Sequence, residues 1–420
     1  MTTTVIENLN RIVTCAPPGV TGPLLRDNMA QLATLQGNLA VAVRKGRVLF
    51  VGPRDRLPGL DGRVERLDGR GLVLTPALID CHTHPAFVAS RADEFEQRLA
   101  GATYEQIAAR GGGIVSSMKA VRESSDAALN AATRRNLGRL RDHGVAVAEG
   151  KSGYGLCLEH ELRQLHAIRD AGDSLDMHTM RTCLAAHSFP PEYRGSDAKR
   201  AAYVAEVCNH ILPAAAKGGL AQRADVFCEQ GVFTVAESVT VAQAARKHGL
   251  GLTVHAEQLG LFGGAKVAAE CGADSADHLE FADAATLAAM ATAGTAAVLL
   301  PGSTYHLRMD QWANGRAMID AGLCVALATD FNPGSSPIPN PCFIMNLAVL
   351  RCGLTPAQAL AAFTRNAAHA LRLDTAQWGL IAPGSRAAFA LWDVDHEREL
   401  AYYAGANLCA EVITCEGWRS

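Results

Sequence analysis

The triplet His82-Thr83-His84 follows the apolar run Ala77-Leu78-Ile79, and two imidazoles at i and i+2 of an extended strand project to the same side. That spacing suits a pair of metal ligands. Further along, single polar residues close other short apolar runs: His187 after Leu184-Ala185-Ala186, His255 after Leu252-Thr253-Val254, His278 after Ala276-Asp277, and Asp330 after Ala326-Leu327-Ala328-Thr329. Any one of these histidines taken alone reads as a hydrogen-bonded structural residue. Several of them at run ends, with an aspartate at the last, point to a bound metal. A set of three histidines and one aspartate leaves a coordination position open, as a catalytic ion requires. A carboxylate beside a metal-activated water can take its proton, so Asp330 is assigned as both ligand and proton carrier. His278 is assigned as the neighbour that orients the water or polarises the attacked carbonyl.

Two glycine-rich turns follow such runs, Lys151-Ser152-Gly153-Tyr154-Gly155 and Phe331-Asn332-Pro333-Gly334-Ser335. Their sequences suggest backbone N–H groups and polar side chains held over one mouth, which makes them candidates for substrate contact.

The elements that must position these residues recur in a fixed order: a short apolar run, a polar residue at its end, then a helical stretch. Eight runs fit, namely Ala77–Cys81, Val145–Ala148, Thr182–Ala186, Asp225–Cys228, Gly251–Val254, Ala273–Ala276, Thr295–Leu300 and Cys324–Ala328. Strands alternating with helices imply parallel βα units, and eight of them predict a closed (β/α)8 TIM-like barrel, with the run ends meeting on one face. Apolar residues at helical spacing mark helices at Ser125–His143, Glu159–Asp170, Lys199–Ala216, Ala236–His248, Ala284–Ala293 and Gln311–Ala321. Another opens with Thr355 as N-cap and Pro356 at the first helical position. The first gap is long and contains Arg91, the acidic segment Asp93-Glu94-Phe95-Glu96 and the loop Arg110-Gly111-Gly112-Gly113, the features of a loop that shapes an active site or its lid.

Outside the barrel, Leu39–Val51 alternates around Lys45-Gly46 as a hairpin would, and Ala387–Trp392 and Leu408–Cys415 are β-rich. The two termini are therefore expected to build one small β-sandwich module, with residues 1–75 and 383–420 flanking a catalytic barrel of residues 76–382.

Composition narrows the function further. The net charge is −3 with 19% charged residues, which gives little basis for gripping nucleic acid or anionic lipid, and 5% aromatics disfavour a platform for stacking bases. No apolar run reaches the roughly 18 residues of a membrane span, and Met1–Asn10 carries the acidic Glu7 where a signal peptide is basic, so the chain reads as soluble and cytoplasmic. The 12 cysteines include no CxxC pair, and Cys183, Cys228 and Cys324 lie within apolar runs, as small buried hydrophobes in a reducing compartment do.

Ile79-Asp80-Cys81-His82-Thr83-His84, the Arg91-to-Glu96 segment, Gly111-Gly112-Gly113-Ile114, Lys151-Ser152-Gly153-Tyr154-Gly155-Leu156, Ala186-His187, Pro191-Glu192-Tyr193, Phe227-Cys228-Glu229, Asp277-His278-Leu279-Glu280 and Thr329-Asp330-Phe331-Asn332-Pro333-Gly334-Ser335 occur in order. Together they resemble the imidazolonepropionase family of the amidohydrolase superfamily, from about residue 70 to residue 415. The resemblance implies a (β/α)8 barrel with one zinc or iron ion that hydrolyses 4-imidazolone-5-propanoate to N-formimidoyl-L-glutamate in histidine degradation. It places the metal ligands on His82, His84, His255 and Asp330, and the second catalytic histidine on His278. It places substrate contacts on Arg91, Tyr154, His187, Gln258, Asn332, Gly334 and Ser335, and it implies a homodimer with a small molecule as its only other partner. A propionate tail suits the two parallel N–H bonds of the Arg91 guanidinium.

Family members carry Glu or Gln three residues after the third ligand; Gln258 stands there and cannot act as a base. Ser335 replaces the usual threonine, and Pro85-Ala86 and Val88-Ala89 replace the usual residues after the triplet. The rival enzyme reading is a deaminase of aromatic bases or another cyclic-amide hydrolase, separable by ammonia release against ring opening. A catalytically inactive scaffold is the rival of another class, and the retained ligand set His82, His84, His255 and Asp330 argues against it.

Overall fold

The computed structural model describes residues 2–102 and 112–419, so Arg110 and Gly111 of the glycine-rich loop lie outside the described residues. The alternating N-terminal segment forms β1 (Thr2–Val13), β2 (Thr34–Arg44) and β3 (Arg47–Pro53), followed by β4 (Arg63–Asp68) and β5 (Val73–Pro76). The β2–β3 hairpin turns at Lys45-Gly46, whose φ values of 52° and 68° are the left-handed pair that a two-residue hairpin turn needs.

Each predicted barrel run overlaps a strand: β6 (Leu78–Asp80), β7 (Val145–Lys151), β8 (His178–Ala186), β9 (Arg223–Cys228), β10 (Gly251–Ala256), β11 (Ser275–His278), β12 (Ala296–Leu299) and β13 (Val325–Leu327). All neighbours pair in parallel and in sequence order. Strand runs this apolar are buried on both faces, by the barrel interior and by the surrounding helices. The ring is closed beyond β6 and β13, where Asp330 N donates to His82 O at 3.0 Å and His84 N to Phe331 O at 3.0 Å.

The helices Asp126–Arg141, Leu158–Ser174, Val235–Lys247 and Ala284–Ala293 match their sequence patterns. Two differ. The expected Lys199–Ala216 helix is Asp197–Glu206, then a π turn at Val207–Ile211, then Leu212–Ala216, because Pro213 has no N–H to continue the ladder. The expected Gln311–Ala321 helix is Gly315–Asp320, because the Asn314 side chain accepts from Ala317 N and starts it there. Thr355 caps Pro356–Ala362 with a full capping box.

The chain ends with β14 (Ala388–Trp392) and β15 (Cys409–Thr414), which join β1 to β5 in one mixed seven-stranded sheet. Ile6, Leu9, Ile12, Leu39, Val41 and Phe389 form a core of its own. Only Ala77 separates β5 from β6, and Ala77 N donates to Ala388 O at 3.0 Å, so the sheet is tied directly to the first barrel strand. Among the described residues no helix is long and apolar enough to cross a membrane.

Candidate metal centre and ligand cavity

The backbone that closes the barrel also carries the centre. His82, Thr83 and His84 extend β6; Lys151 N donates to Thr83 O at 2.9 Å on one side, and the bonds to Asp330 and Phe331 lie on the other. Beneath them the buried Asp80 carboxylate accepts from Thr329 N at 3.0 Å and Thr329 Oγ1 at 2.6 Å, which locks the first strand to the last. Asp330 itself has a φ of 52°, a left-handed conformation that aspartate adopts more readily than most residues.

Ligating atoms of His82, His84 and His255 lie within 4.8 Å of one another. The Nε2 atoms of His82 and His84 are 3.3 Å apart, and Asp330 Oδ1 is 3.6 Å from the first and 3.4 Å from the second. Burial pushes the His82 imidazole well below its ordinary pKa and His255 to about 4, and the nearby Lys151 charge adds to both shifts. His82 Nδ1 meets Asp277 Oδ2 at 2.6 Å and His255 Nδ1 meets Asp225 Oδ2 at 2.9 Å. A carboxylate can only accept, so the bond to Asp277 fixes the His82 tautomer with its lone-pair nitrogen inward, and the close approach of Asp225 biases His255 the same way. Neutral lone pairs facing each other and a carboxylate oxygen repel; a cation between them removes the conflict. The donor set therefore fits a metal ion.

Below the centre lies a buried charge network. Lys151 Nζ is 2.8 Å from Glu149 Oε2, 2.8 Å from Asp225 Oδ2 and 3.7 Å from Asp277 Oδ2, and Arg223 Nη1 is 3.3 Å from Glu149 Oε1. Burial opposes the Lys151 charge, yet Asp225, Glu149 and Asp277 hold it protonated above the usual lysine range. Burial likewise opposes the Asp225 charge, and His255 and Lys151 outweigh it. Lys151 thus helps to keep Asp225 ionised, whereas burial pushes Asp277 up to about 6 and Lys151 only opposes that rise.

Above the centre opens a cavity of about 620 Å³. His84, His255, His278, Asp330, Arg91, Tyr154, His187, Gln258, Asn332, Gly334 and Ser335 all reach its lining, while His82 is fully buried in the floor. The His187 ring stacks on His84 with centroids 5.3 Å apart, and its Nδ1 meets Gly153 O at 3.1 Å. His278 has a φ of 85°; burial disfavours its cation, but Glu280, with Oε1 3.7 Å from Nδ1, raises its pKa above the ordinary value. Gln258 is on the wall, whereas its neighbour Glu257 turns away and accepts from Gly263 N at 2.8 Å and Ala265 N at 2.7 Å.

The rim departs from the sequence expectation in two ways. The turn N–H groups are not displayed to the mouth: Gly153, Gly155 and Leu156 donate to the buried Glu161 carboxylate, and Tyr154 N donates to Gln164 Oε1. Gly334 N and Ser335 N both donate to Asn332 Oδ1, and Asn332 Nδ2 donates to Asp330 O and Ser335 Oγ. The Asn332 amide thus shapes the turn that presents Asp330 and Ser335. Arg91, in turn, is not free. Its Nε and Nη2 donate to Glu94 Oε2 at 2.9 and 2.7 Å, and its guanidinium lies against Gly334, where a Cβ would stand 2.0 Å from Nη1 and push the fork aside.

The unusual segment after the triplet is pinned: Asn136 Nδ2 donates to Pro85 O and Phe87 O, and Gln164 Nε2 donates to Ala86 O. The sequence reading placed Lys151 in a turn over the mouth as a candidate for substrate contact, whereas it is buried beneath the floor, where Glu149 and Asp225 neutralise it. It named Glu94 only within the acidic segment of the first loop, and it passed over Arg98 at the rim and Glu149, Asp225 and Asp277 beneath the floor. Charged residues inside otherwise apolar parallel strands were the available signal for the last three.

The sequence profile of the amidohydrolase family matches residues 73–414. The chain is 46% identical over 386 residues to an imidazolonepropionase of Rhizorhabdus wittichii, covering 90% of this chain and 95% of that protein. It is also 46% identical over 375 residues to an imidazolonepropionase of Ralstonia nicotianae, covering 89% and 91%. Among solved structures, an adenosine deaminase from Xanthomonas campestris with bound zinc superposes with a TM-score of 0.71 at 17% identity, covering 99% of this chain and 92% of that one, a likeness of fold alone.

Proposed function

This chain belongs to the amidohydrolase family, and from that premise we propose how its cavity hydrolyses the ring C–N amide bond of 4-imidazolone-5-propanoate to N-formimidoyl-L-glutamate in histidine degradation. The observation that carries the reading is a single cavity with a cation-ready floor of His82, His84, His255 and Asp330 and guanidiniums at its rim. A zinc or iron ion held by those four residues would polarise the ring carbonyl and lower the pKa of a water.

Arg91 holds the propionate carboxylate and aims the ring at the floor, with Tyr154, His187, Gln258 and Ser335 around it. Burial pushes the Tyr154 hydroxyl up, so it stays a neutral hydrogen-bonding group. Asp330 accepts a proton from the attacking water and returns it to the departing ring nitrogen. His278, biased toward its cation by Glu280, donates to the carbonyl oxygen as negative charge develops there. Gln258 is a neutral amide that hydrogen-bonds the ring edge and leaves base chemistry to Asp330.

The same reading gives the chemistry to residues 76–382, with 1–75 and 383–420 as the accessory sheet, and puts a homodimer in the cytoplasm, where 12 free cysteines persist. Light scattering tests the assembly. The reaction is tested by following the ultraviolet absorbance of imidazolonepropionate with metal-loaded protein. The absorbance should fall as N-formimidoyl-L-glutamate forms, without ammonia. Release of ammonia with the ring intact would assign the chain to a deaminase instead.

A further inference from the structure

The rim carries a second guanidinium. Arg91, Glu94 and Arg98 stand at i, i+3 and i+7 along the helix Ala92–Leu99 and its N-cap, so one helix face presents all three to the cavity, which they line. Glu94 is committed to Arg91, and its other contacts go to Ser116 Oγ at 2.7 Å and Gly113 N at 3.1 Å. Arg98 has no carboxylate partner among the described residues. Among the described residues its Nη2 meets His306 Nε2, at 3.2 Å, and Gly334 O, at 3.4 Å. His306 is itself held in place by a stack on Phe95, with centroids 5.0 Å apart. Both contacts are neutral acceptors that steer the guanidinium without neutralising it. Arg91 lies against the same Gly334, so the two cations are neighbours.

Among the described residues, two guanidiniums and one carboxylate leave a single positive charge at the rim, half-buried and lining a cavity whose substrate, on the reading above, carries a single carboxylate. We propose that Arg98 is a second anchor for the propionate carboxylate, acting beside Arg91. With Arg91 engaged by Glu94 through Nε and Nη2, Arg98 supplies the uncompensated charge, and Arg91 adds its remaining Nη1. Glu94 and His306 hold the two forks side by side, which spares the substrate the entropy of ordering them.

The inference rests on the proposed reaction, and binding of stable analogues tests it separately. Dissociation constants of 3-(imidazol-4-yl)propanoate and of its neutral propanamide are measured by calorimetry on the metal-loaded parent, Arg98→Gln and Arg98→Lys. The parent should prefer the propanoate. Arg98→Gln should lose about tenfold or more of that preference, as a charge-assisted bond is worth, and affinity for the amide should change much less. Arg98→Lys should recover part of the preference, because the charge remains without the fork. A parent without preference, or an Arg98→Gln protein that keeps it, overturns the assignment. A parent that discriminates through Arg98 but leaves imidazolonepropionate unopened would sink the reaction and leave the anchor standing.

Discussion

The floor and the rim of the cavity are held in opposite ways. At the floor, His82, His84 and Asp330 sit on the backbone bonds that close the barrel, and His82 and His255 are each gripped by a buried carboxylate. At the rim, Arg91, Glu94 and Arg98 come from one short helix and its N-cap in the long first loop, half-buried; Arg91 pairs with Glu94, and Arg98 leans on His306 and Gly334. Geometry imposed by a whole barrel cannot relax locally, whereas an ion pair on one helix can exchange its partner for a ligand. The floor suits bond-making, where displacement of the reacting groups by an ångström is ruinous; the rim suits capture and release. Substitutions should divide accordingly, with floor changes reducing kcat and metal occupancy and rim changes raising KM.

The largest effect is expected from Asp330→Asn, which removes a metal ligand and the proton carrier while its backbone bond to His82 persists. Turnover should fall by at least about 10²-fold with the circular dichroism spectrum unchanged. Near-parent activity in a metal-loaded Asp330→Asn protein would take proton transfer away from the floor.

Next comes Lys151→Met, beneath the floor and touching no substrate. Among the described residues it leaves Glu149, Asp225 and Asp277 buried with Arg223 as the remaining fixed cation nearby, at a cost of about 3–5 kcal/mol in denaturant unfolding. Carboxylates that lose their charge also lose their hold on His82 and His255, so zinc should be surrendered to a weaker chelator than the parent requires. Parent-like zinc retention would show that the histidines are oriented by the barrel alone.

What could be read in advance follows the same division. A strand of a parallel barrel is a short apolar run, and His82, His187, His255, His278 and Asp330 were recognisable as polar residues ending such runs. The limits of the strands were less legible. β7 runs on to Lys151, because charges neutralised inside the barrel are tolerated where a sequence pattern marks an end, and β8 begins as early as His178, which pairs with Val147 of β7. The rim was hardest. That Glu161 gathers the N–H groups of Gly153, Gly155 and Leu156, or that Arg91 is already paired with Glu94, depends on side-chain geometry that spacing does not record.

A smaller change, Arg91→Lys, tests the rim. An ammonium cannot bridge Glu94 and a propionate as a fork does, so KM should rise about tenfold with a lesser loss of kcat. A fall in kcat at constant KM would place Arg91 with the floor groups and erase the division.

The smallest effect belongs to Glu94→Gln and is read in stability. Burial opposes the Glu94 charge, but Arg91 and the Ser116 hydroxyl outweigh it and hold the carboxyl below its usual pKa. A folded pKa below the unfolded value of about 4.3 means that the pair stabilises the fold above that pH and that the contribution is lost as pH falls through the folded value. Both side chains keep some contact with solvent, 18% for Arg91 and 13% for Glu94, so the contribution is at most about 1 kcal/mol. The Tm of the parent should exceed that of Glu94→Gln by a constant shift of at most about 1 °C above about pH 5 and converge with it as the pH falls below the usual carboxylate range. A gap independent of pH would mean that Glu94 acts through packing and its bonds to Ser116 and Gly113. The rim would then be as rigid as the floor, because Arg91 would be held by shape and not by a charge that a substrate carboxylate can replace.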